Sequence, residues 1–275
     1  KQGKDYNNNE SISVAIIKHP DVSKMLLRMK TLTEAARALC YDNAIAIDLS
    51  ESHPSKIVRE RYKLKADLLT PVSKSWSTDI GVEVASLGIQ VHGGMGFIEE
   101  TGVAQYFRDS RIAPIYEGTN GIQAIDLVMR KLSLSNGDGV KNLIIEFEDV
   151  LSLCAKEKDN NFALISQAFS EAIENLKLAT YQLSKRIKAN ENYSVLFLAS
   201  NYLELLAIVS GAYYLIRGAI SSKDDENKGF AQSKKDMAVF FSSQILTNTA
   251  GLSRTICLEN SELDSKRINN ILGDF

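Results

Sequence analysis

Glu117 stands between an aromatic ring and a glycine in Tyr116-Glu117-Gly118-Thr119-Asn120-Gly121, a setting in which a carboxylate serves well as a positioned base. Thr119 occupies the place of a helix N-cap before the Ile122–Arg130 helical pattern, so the acid is expected at the mouth of a helix. Twenty-one residues earlier, Gln90-Val91-His92-Gly93-Gly94-Met95-Gly96-Phe97 puts three glycines within four residues, directly after a helical run from Val82 to Val91. Each glycine costs a helix interior roughly 1 kcal/mol against alanine. A long helix is therefore expected to stop here in bare backbone that takes positive φ and admits close approach. His92 reads as a hydrogen-bonding residue at that helix end. Between the two breaks, Arg108, Asp109 and Arg111 alternate in sign and read as a salt-bridged turn bracing the loop. The plainer alternative, a surface carboxylate beside helix-terminating glycines, fits any isolated Glu-Gly pair.

The elements that must position these residues read as helices. Four prolines in 275 residues, with an abundance of Leu, Ala, Ile, Lys and Glu, favour them. Pro20 ends a short apolar segment over residues 11–18 that follows a polar turn at residues 5–10, and Asp21 is expected to cap a long helix. In that helix Val22, Met25, Leu26, Met29, Leu32, Ala36 and Leu39 form one stripe, and the repeat persists to about Leu49. Ser55 opens the next helical stretch, with a break expected at Thr70-Pro71; another runs from about Ser73 to Val91 with Trp76, Ile80, Val84 and Leu87 on one face. A two-turn helix is expected at Thr101–Arg108 and a further one at Ile122–Leu132.

Ser133 to Gly139 is dense in turn formers and marks a linker. Beyond it come stripes headed by Val140 and Phe162, a nearly all-apolar segment from Val195 to Ile216 expected to be a central buried helix, a charged loop at Ser221–Gly229, and Phe240, Phe241 and Ile245. The fold class expected is all-α: an up-and-down helical bundle over residues 1–133, followed by a second helical domain over 138–275.

Composition bounds the rest. Apolar residues make up 44%, and 32 basic residues nearly balance 34 acidic ones, with no basic block fit for a nucleic-acid phosphate stripe. Cys40, Cys154 and Cys257 lack metal spacing and read as reduced core thiols of a cytoplasmic protein; the three histidines are scattered, so no metal site is expected. No stretch reads as long and apolar enough to span a membrane, and residues 1–10 carry no signal-peptide pattern.

Three motifs in register, Gln90–Phe97, Arg108-Asp109-Ser110-Arg111-Ile112 and Ile115-Tyr116-Glu117-Gly118-Thr119-Asn120-Gly121, with Gln90 and Glu117 spaced by 27, resemble the C-terminal helical domain of flavin-dependent acyl-CoA dehydrogenases. The likeness covers residues 1–133. The second unit resembles, more diffusely, the additional C-terminal helical domain of some bacterial members. The abrupt Lys1-Gln2-Gly3-Lys4 start resembles a Gln-Gly or Phe-Gly step that lies partway through family chains, which implies a C-terminal part of a longer enzyme.

The resemblance implies FAD as cofactor and oxidation of acyl-CoA to trans-2-enoyl-CoA in fatty acid β-oxidation. Glu117 is then the catalytic α-proton base, its backbone N–H donates to the thioester carbonyl, and Tyr116 and Gly118 contact substrate. Gln90, Gly93 and Gly94 would grip the adenine end of the partner subunit's flavin, and Thr119, Asn120 and Gly121 the chain's own. Gly121 stands where several members carry Gln, with Gln123 as a candidate substitute. An electron-transferring flavoprotein is the implied acceptor and a homo-oligomer, dimer or tetramer, the implied state. Two alternatives stay open: a non-catalytic helical subunit-assembly module, and a flavin-free acyl-CoA-binding relative.

Overall fold

The computed structural model describes residues 1–4, 13–258 and 265–273, so the turn expected at residues 5–10 lies outside the described residues. All regular structure among the described residues is helical. Helix α1, Pro20–Ser52, lies antiparallel to α2, Lys56–His92, across a short turn. Its start corrects the sequence reading: His19 is the N-cap and Pro20 the first helical residue, where a missing N–H costs nothing, while Asp21 sits in the first turn facing the helix dipole.

A second correction concerns α2, which runs unbroken through Pro71. Proline inside a helix costs about 3 kcal/mol, because the carbonyl four residues back loses its donor. Pro71 is itself buried, as are Leu68, Leu69, Val72 and Trp76 around it. Each buried side chain of that kind gains about 1.5–3 kcal/mol, so packing outweighs the lost bond. The Thr70 hydroxyl also donates to the Ala66 carbonyl at 2.8 Å, keeping the neighbouring turn wound.

Short helices α3, Gly94–Phe97, and α4, Val103–Ser110, follow, then an irregular stretch to Thr119. Helix α5, Asn120–Asp126, widens into a π-helical turn over Leu127–Lys131. The expected linker is a tight turn in which Ser135 and Asn136 take left-handed φ of 49° and 58°. Next come α6, Asp138–Cys154, α7, Asn160–Lys188, and α8, Asn192–Phe197. The remainder is α9, Ala199–Ser221, α10, Lys228–Gln244, α11, Asn248–Cys257, and α12, Ser265–Leu272.

The apolar segment expected as one helix thus divides at Leu198 into α8 and α9. By length and composition α9 is apolar enough to cross a membrane, which the sequence reading had denied to every segment, yet 78% of its most apolar window is buried inside the protein. It packs against α1, α2, α5, α6, α7, α10 and α11. One contiguous core therefore runs from Leu39, Leu69 and Trp76 through Phe147 and Phe169 to Leu206 and Phe241. Gly211 makes the closest approach possible: a Cβ there would stand 2.7 Å from the Trp76 ring and 3.0 Å from that of Phe241.

A charged weld joins the same halves. The Lys65 ammonium on α2 bonds Asp42 of α1 at 2.8 Å and Glu146 of α6 at 2.7 Å, all three side chains being less than a fifth exposed. The Tyr214 hydroxyl of α9 donates to Asp42 at 2.7 Å. Burial alone would lower the Lys65 pKa, but the hydrogen bonds to Asp42 and Glu146 and the attraction of their charges together outweigh that and hold it raised. Lys65→Met leaves two largely buried carboxylates without their shared cation, and unfolding in denaturant should show a loss of about 3–5 kcal/mol. A change within the experimental scatter would show that the weld contributes nothing.

Candidate active site

The Glu117 loop is built from the side of α2. The Asn120 N–H donates to the Pro114 carbonyl at 3.0 Å and Tyr116 N–H to Ile112 at 3.1 Å, closing a compact loop with Glu117 near its apex. Thr119 caps α5 as expected, its hydroxyl accepting from Ile122 N–H at 3.3 Å. Glu117 itself holds φ of 53° and Gly118 φ of 82°. A left-handed conformation costs a residue with a Cβ on the order of 1–2 kcal/mol, so the surroundings must impose it on Glu117.

Those surroundings are residues that sequence reasoning passed over. The Asn120 amide donates to Asp79 at 2.8 Å, to the Ser75 carbonyl at 3.0 Å and to the Thr78 hydroxyl at 3.0 Å. The Lys74 ammonium donates to the Gly118 carbonyl and to Asn120 Oδ1, each at 2.8 Å. The available signal was the polar run Lys74, Ser75, Thr78 and Asp79 beside the buried Trp76, which forms a second face of the same helix. A cleft of about 740 Å³ opens next to these contacts, lined by Asp79, Glu83, Arg111, Pro114, Thr119 and Gly121 among others.

Tyr116, Glu117, Gly118, Thr119, Asn120 and Gly121 are therefore brought together. Gln90, Gly93 and Gly94 are not: about 16 Å of helix separates Asp79 from Gln90 at 1.5 Å per residue. Gly93 ends α2 with φ of 62°, and a Cβ on Gly93 or Gly94 would meet open space, so this backbone is accessible to a ligand. Gly96 is different, since a Cβ there would lie 2.4 Å from the Ile89 carbonyl oxygen; it lets α3 fold back on α2. His92 Nδ1 contacts the Gly88 carbonyl at 2.8 Å, in its expected helix-end place.

Tyr116 and Glu117 are both exposed. The Asn120 amide is turned onto α2. One expectation changes. The bracing ion pair joins Arg108 to Glu99, two bonds at 2.9 and 2.8 Å, while Asp109 accepts from Gln105. A planar guanidinium satisfies a carboxylate in that forked way better than a neighbour along the chain could. The Gln123 amide lies 3.2 Å from the position of a Gly118 Cβ, beside the Glu117 loop.

Comparison with known proteins bears on both halves. The family described as acyl-CoA dehydrogenase, C-terminal domain, matches residues 5–132, and that described as acetyl-CoA dehydrogenase C-terminal like matches residues 146–263. The 3-methylmercaptopropionyl-CoA dehydrogenase of Ruegeria pomeroyi is 38% identical over 255 residues, 89% of this chain and 42% of that protein. Two solved structures share the fold. ACDH-11 of Caenorhabditis elegans in complex with C11-CoA has a TM-score of 0.67 at 23% identity, over 88% of this chain and 41% of that one. The Bacillus anthracis acyl-CoA dehydrogenase complexed with FAD has a TM-score of 0.71 at 16% identity, over 98% of this chain and 46% of that one. The chain spans less than half the length of these relatives.

Behind Asn120, a smaller cavity of about 260 Å³ reaches Glu204 on α9. Partial burial raises the Glu204 pKa, and the like charges of Asp79 and Glu83 add to it. Burial also raises Asp79, more than the Asn120 amide, Lys74 and Arg111 lower it. A carboxyl whose folded pKa lies above its unfolded one binds more protons when folded, so its charged form works against the fold at neutral pH. Glu204→Gln should therefore melt higher than the parent at pH 7–8. The gain should shrink as pH falls through the raised pKa and vanish below the unfolded value of about 4.3, where the parent side chain is neutral in both states. Melting curves from pH 4 to 8 check this, and a Gln variant less stable at pH 8 would contradict it.

Proposed function

The chain belongs to the acyl-CoA dehydrogenase family through both of its halves, and from that premise we propose that it is the helical, base-carrying part of an FAD-dependent enzyme that oxidises acyl-CoA thioesters to trans-2-enoyl-CoA. One observation carries the proposal: Glu117 is held at the apex of a closed loop, in strained left-handed backbone, by a helix that spends four residues anchoring it. A carboxylate with only a solvating role needs no such restraint.

Glu117 takes the α-proton onto a carboxylate oxygen while its own backbone N–H donates to the thioester carbonyl, stabilising negative charge as it develops there. Gly118 leaves room beside the base. Ile112, Ile115, Tyr116 and Ile122 are each about half exposed around the loop and offer the apolar surface on which an acyl chain would lie. Covering them with substrate also excludes water from the loop.

The exposed backbone at Gly93-Gly94 and the cleft beside Thr119 and Gly121 offer two separate surfaces open to a ligand. In this reading Gln90, Gly93 and Gly94 hold the adenine end of the partner subunit's flavin, and Thr119, Gly121 and the backbone of Asn120 lie against the chain's own. Flavin, when bound, supplies the acceptor for the β-hydrogen. A homo-oligomer, electron-transferring flavoprotein as electron acceptor, and a cytoplasmic setting complete the proposal. The second unit serves chiefly to complete the core through α9.

In the natural full-length protein, Glu117→Gln should slow flavin reduction by acyl-CoA at least about 10²-fold. Acyl-CoA affinity and flavin content should change little, because the backbone N–H and the loop remain. Glu117→Asp should be intermediate, one methylene short of the α-carbon. Stopped-flow absorbance decides; a Gln variant reduced at near the parent rate would remove Glu117 as base.

A further inference from the structure

We infer that Lys74 is a positioning residue for Glu117, holding the base loop in its left-handed turn through the Gly118 carbonyl. The inference rests on the reading of Glu117 as the base. Among the described residues the Glu117 carboxylate makes no hydrogen bond or ion pair, so its place is set by its backbone alone. That backbone is fixed on the upstream side by Tyr116 N–H to Ile112 and across the loop by Asn120 N–H to Pro114. On the downstream side the fixed point is the Gly118 carbonyl, and Lys74 is the donor to it. The same ammonium bonds Asn120 Oδ1, so one cation ties together the residues on either side of the Thr119 cap.

The chemistry suits lysine. An ammonium has three donors and can serve both acceptors at 2.8 Å, and a charged donor makes the stronger kind of bond to a carbonyl. Lys74 has no carboxylate within salt-bridge distance among the described residues, and Asp79 reaches it only as a longer-range charge. Its charge is thus committed to two neutral oxygens of the base loop. Without it, Gly118 is free to move across the wide φ range open to glycine, and the adjoining Glu117 can relax out of the strained region. A base displaced by about 1 Å loses up to about 10²-fold in rate without losing its substrate.

The test uses Lys74→Met, Lys74→Gln and Lys74→Arg, with far-UV circular dichroism to follow the helices. In residues 1–275, hydrogen exchange at the bonded amides of Tyr116 and Asn120 should quicken at least about tenfold in Lys74→Met, less in Lys74→Gln, and return towards the parent in Lys74→Arg, which keeps the charge and several donors. In flavin-loaded full-length protein, the reduction rate should fall at least about tenfold in Lys74→Met while the acyl-CoA dissociation constant stays within about twofold, with Lys74→Arg recovering most of the rate. Unchanged exchange, or quickened exchange with a parent-like rate, overturns the inference. So does a rate loss that Lys74→Arg fails to recover. Glu117→Gln, measured alongside, reports on the base reading separately: a parent-like rate there removes the base, whereas parent-like behaviour of Lys74→Met beside a slow Glu117→Gln removes only Lys74.

Discussion

Helix α9 must be buried on nearly every side, and the remainder of the chain is arranged to bury it. Leu203, Leu205, Leu206, Ile208, Val209 and Ile216 point in all directions around its axis and all lie out of water. At about 1.5–3 kcal/mol for each large side chain, that burial outweighs any preference of the two halves to remain separate units. The two family regions of the chain consequently share one core, with α9 packed against α1, α2 and α5 of the first and α6, α7, α10 and α11 of the second.

Helix α2, whose Trp76 lies against Gly211 of α9, also builds the site. Trp76 packs against Gly211, and its chain neighbours Lys74 and Ser75, with Thr78 and Asp79 one turn on, hold Gly118 and Asn120. Core and site are two faces of the same turns of α2. Placement of the acid loop is thereby linked to packing between the halves, since any shift of Trp76 carries Ser75 with it. Continuity through Pro71 matters for the same reason: a break there would uncouple this segment from Leu68 and Leu69, which fix α2 in the core.

Polar groups at the junction follow the same economy of space. Lys65 serves Asp42 and Glu146 from one ammonium, Lys74 serves Gly118 and Asn120, and Arg28 pairs with Glu83 near the cleft. Each cation bridges elements distant in sequence, so each restrains geometry beyond what one bond supplies. Glu204 is the exception, a carboxylate facing two others across a small cavity.

Much was legible in the residues themselves. The three-four spacing of apolar positions dictates helices, because only that period brings them to one face, and the glycines at 93, 94 and 96 dictate where α2 stops. Thr119 announced a cap, and Tyr116-Glu117-Gly118 announced an acid at a helix mouth, since both are local patterns that depend on neighbours within a few residues. What local pattern could not reveal depends on partners far along the chain. Proline's local cost predicts a break at Thr70-Pro71, and only the buried neighbours overrule it. The division of α8 from α9, the engagement of Asn120 with α2 and the contacts of Lys74 all rest on partners more than forty positions apart or on packing against several helices at once. Sequence period determines which face of each helix is apolar; three-dimensional packing decides which residues of the polar face become partners.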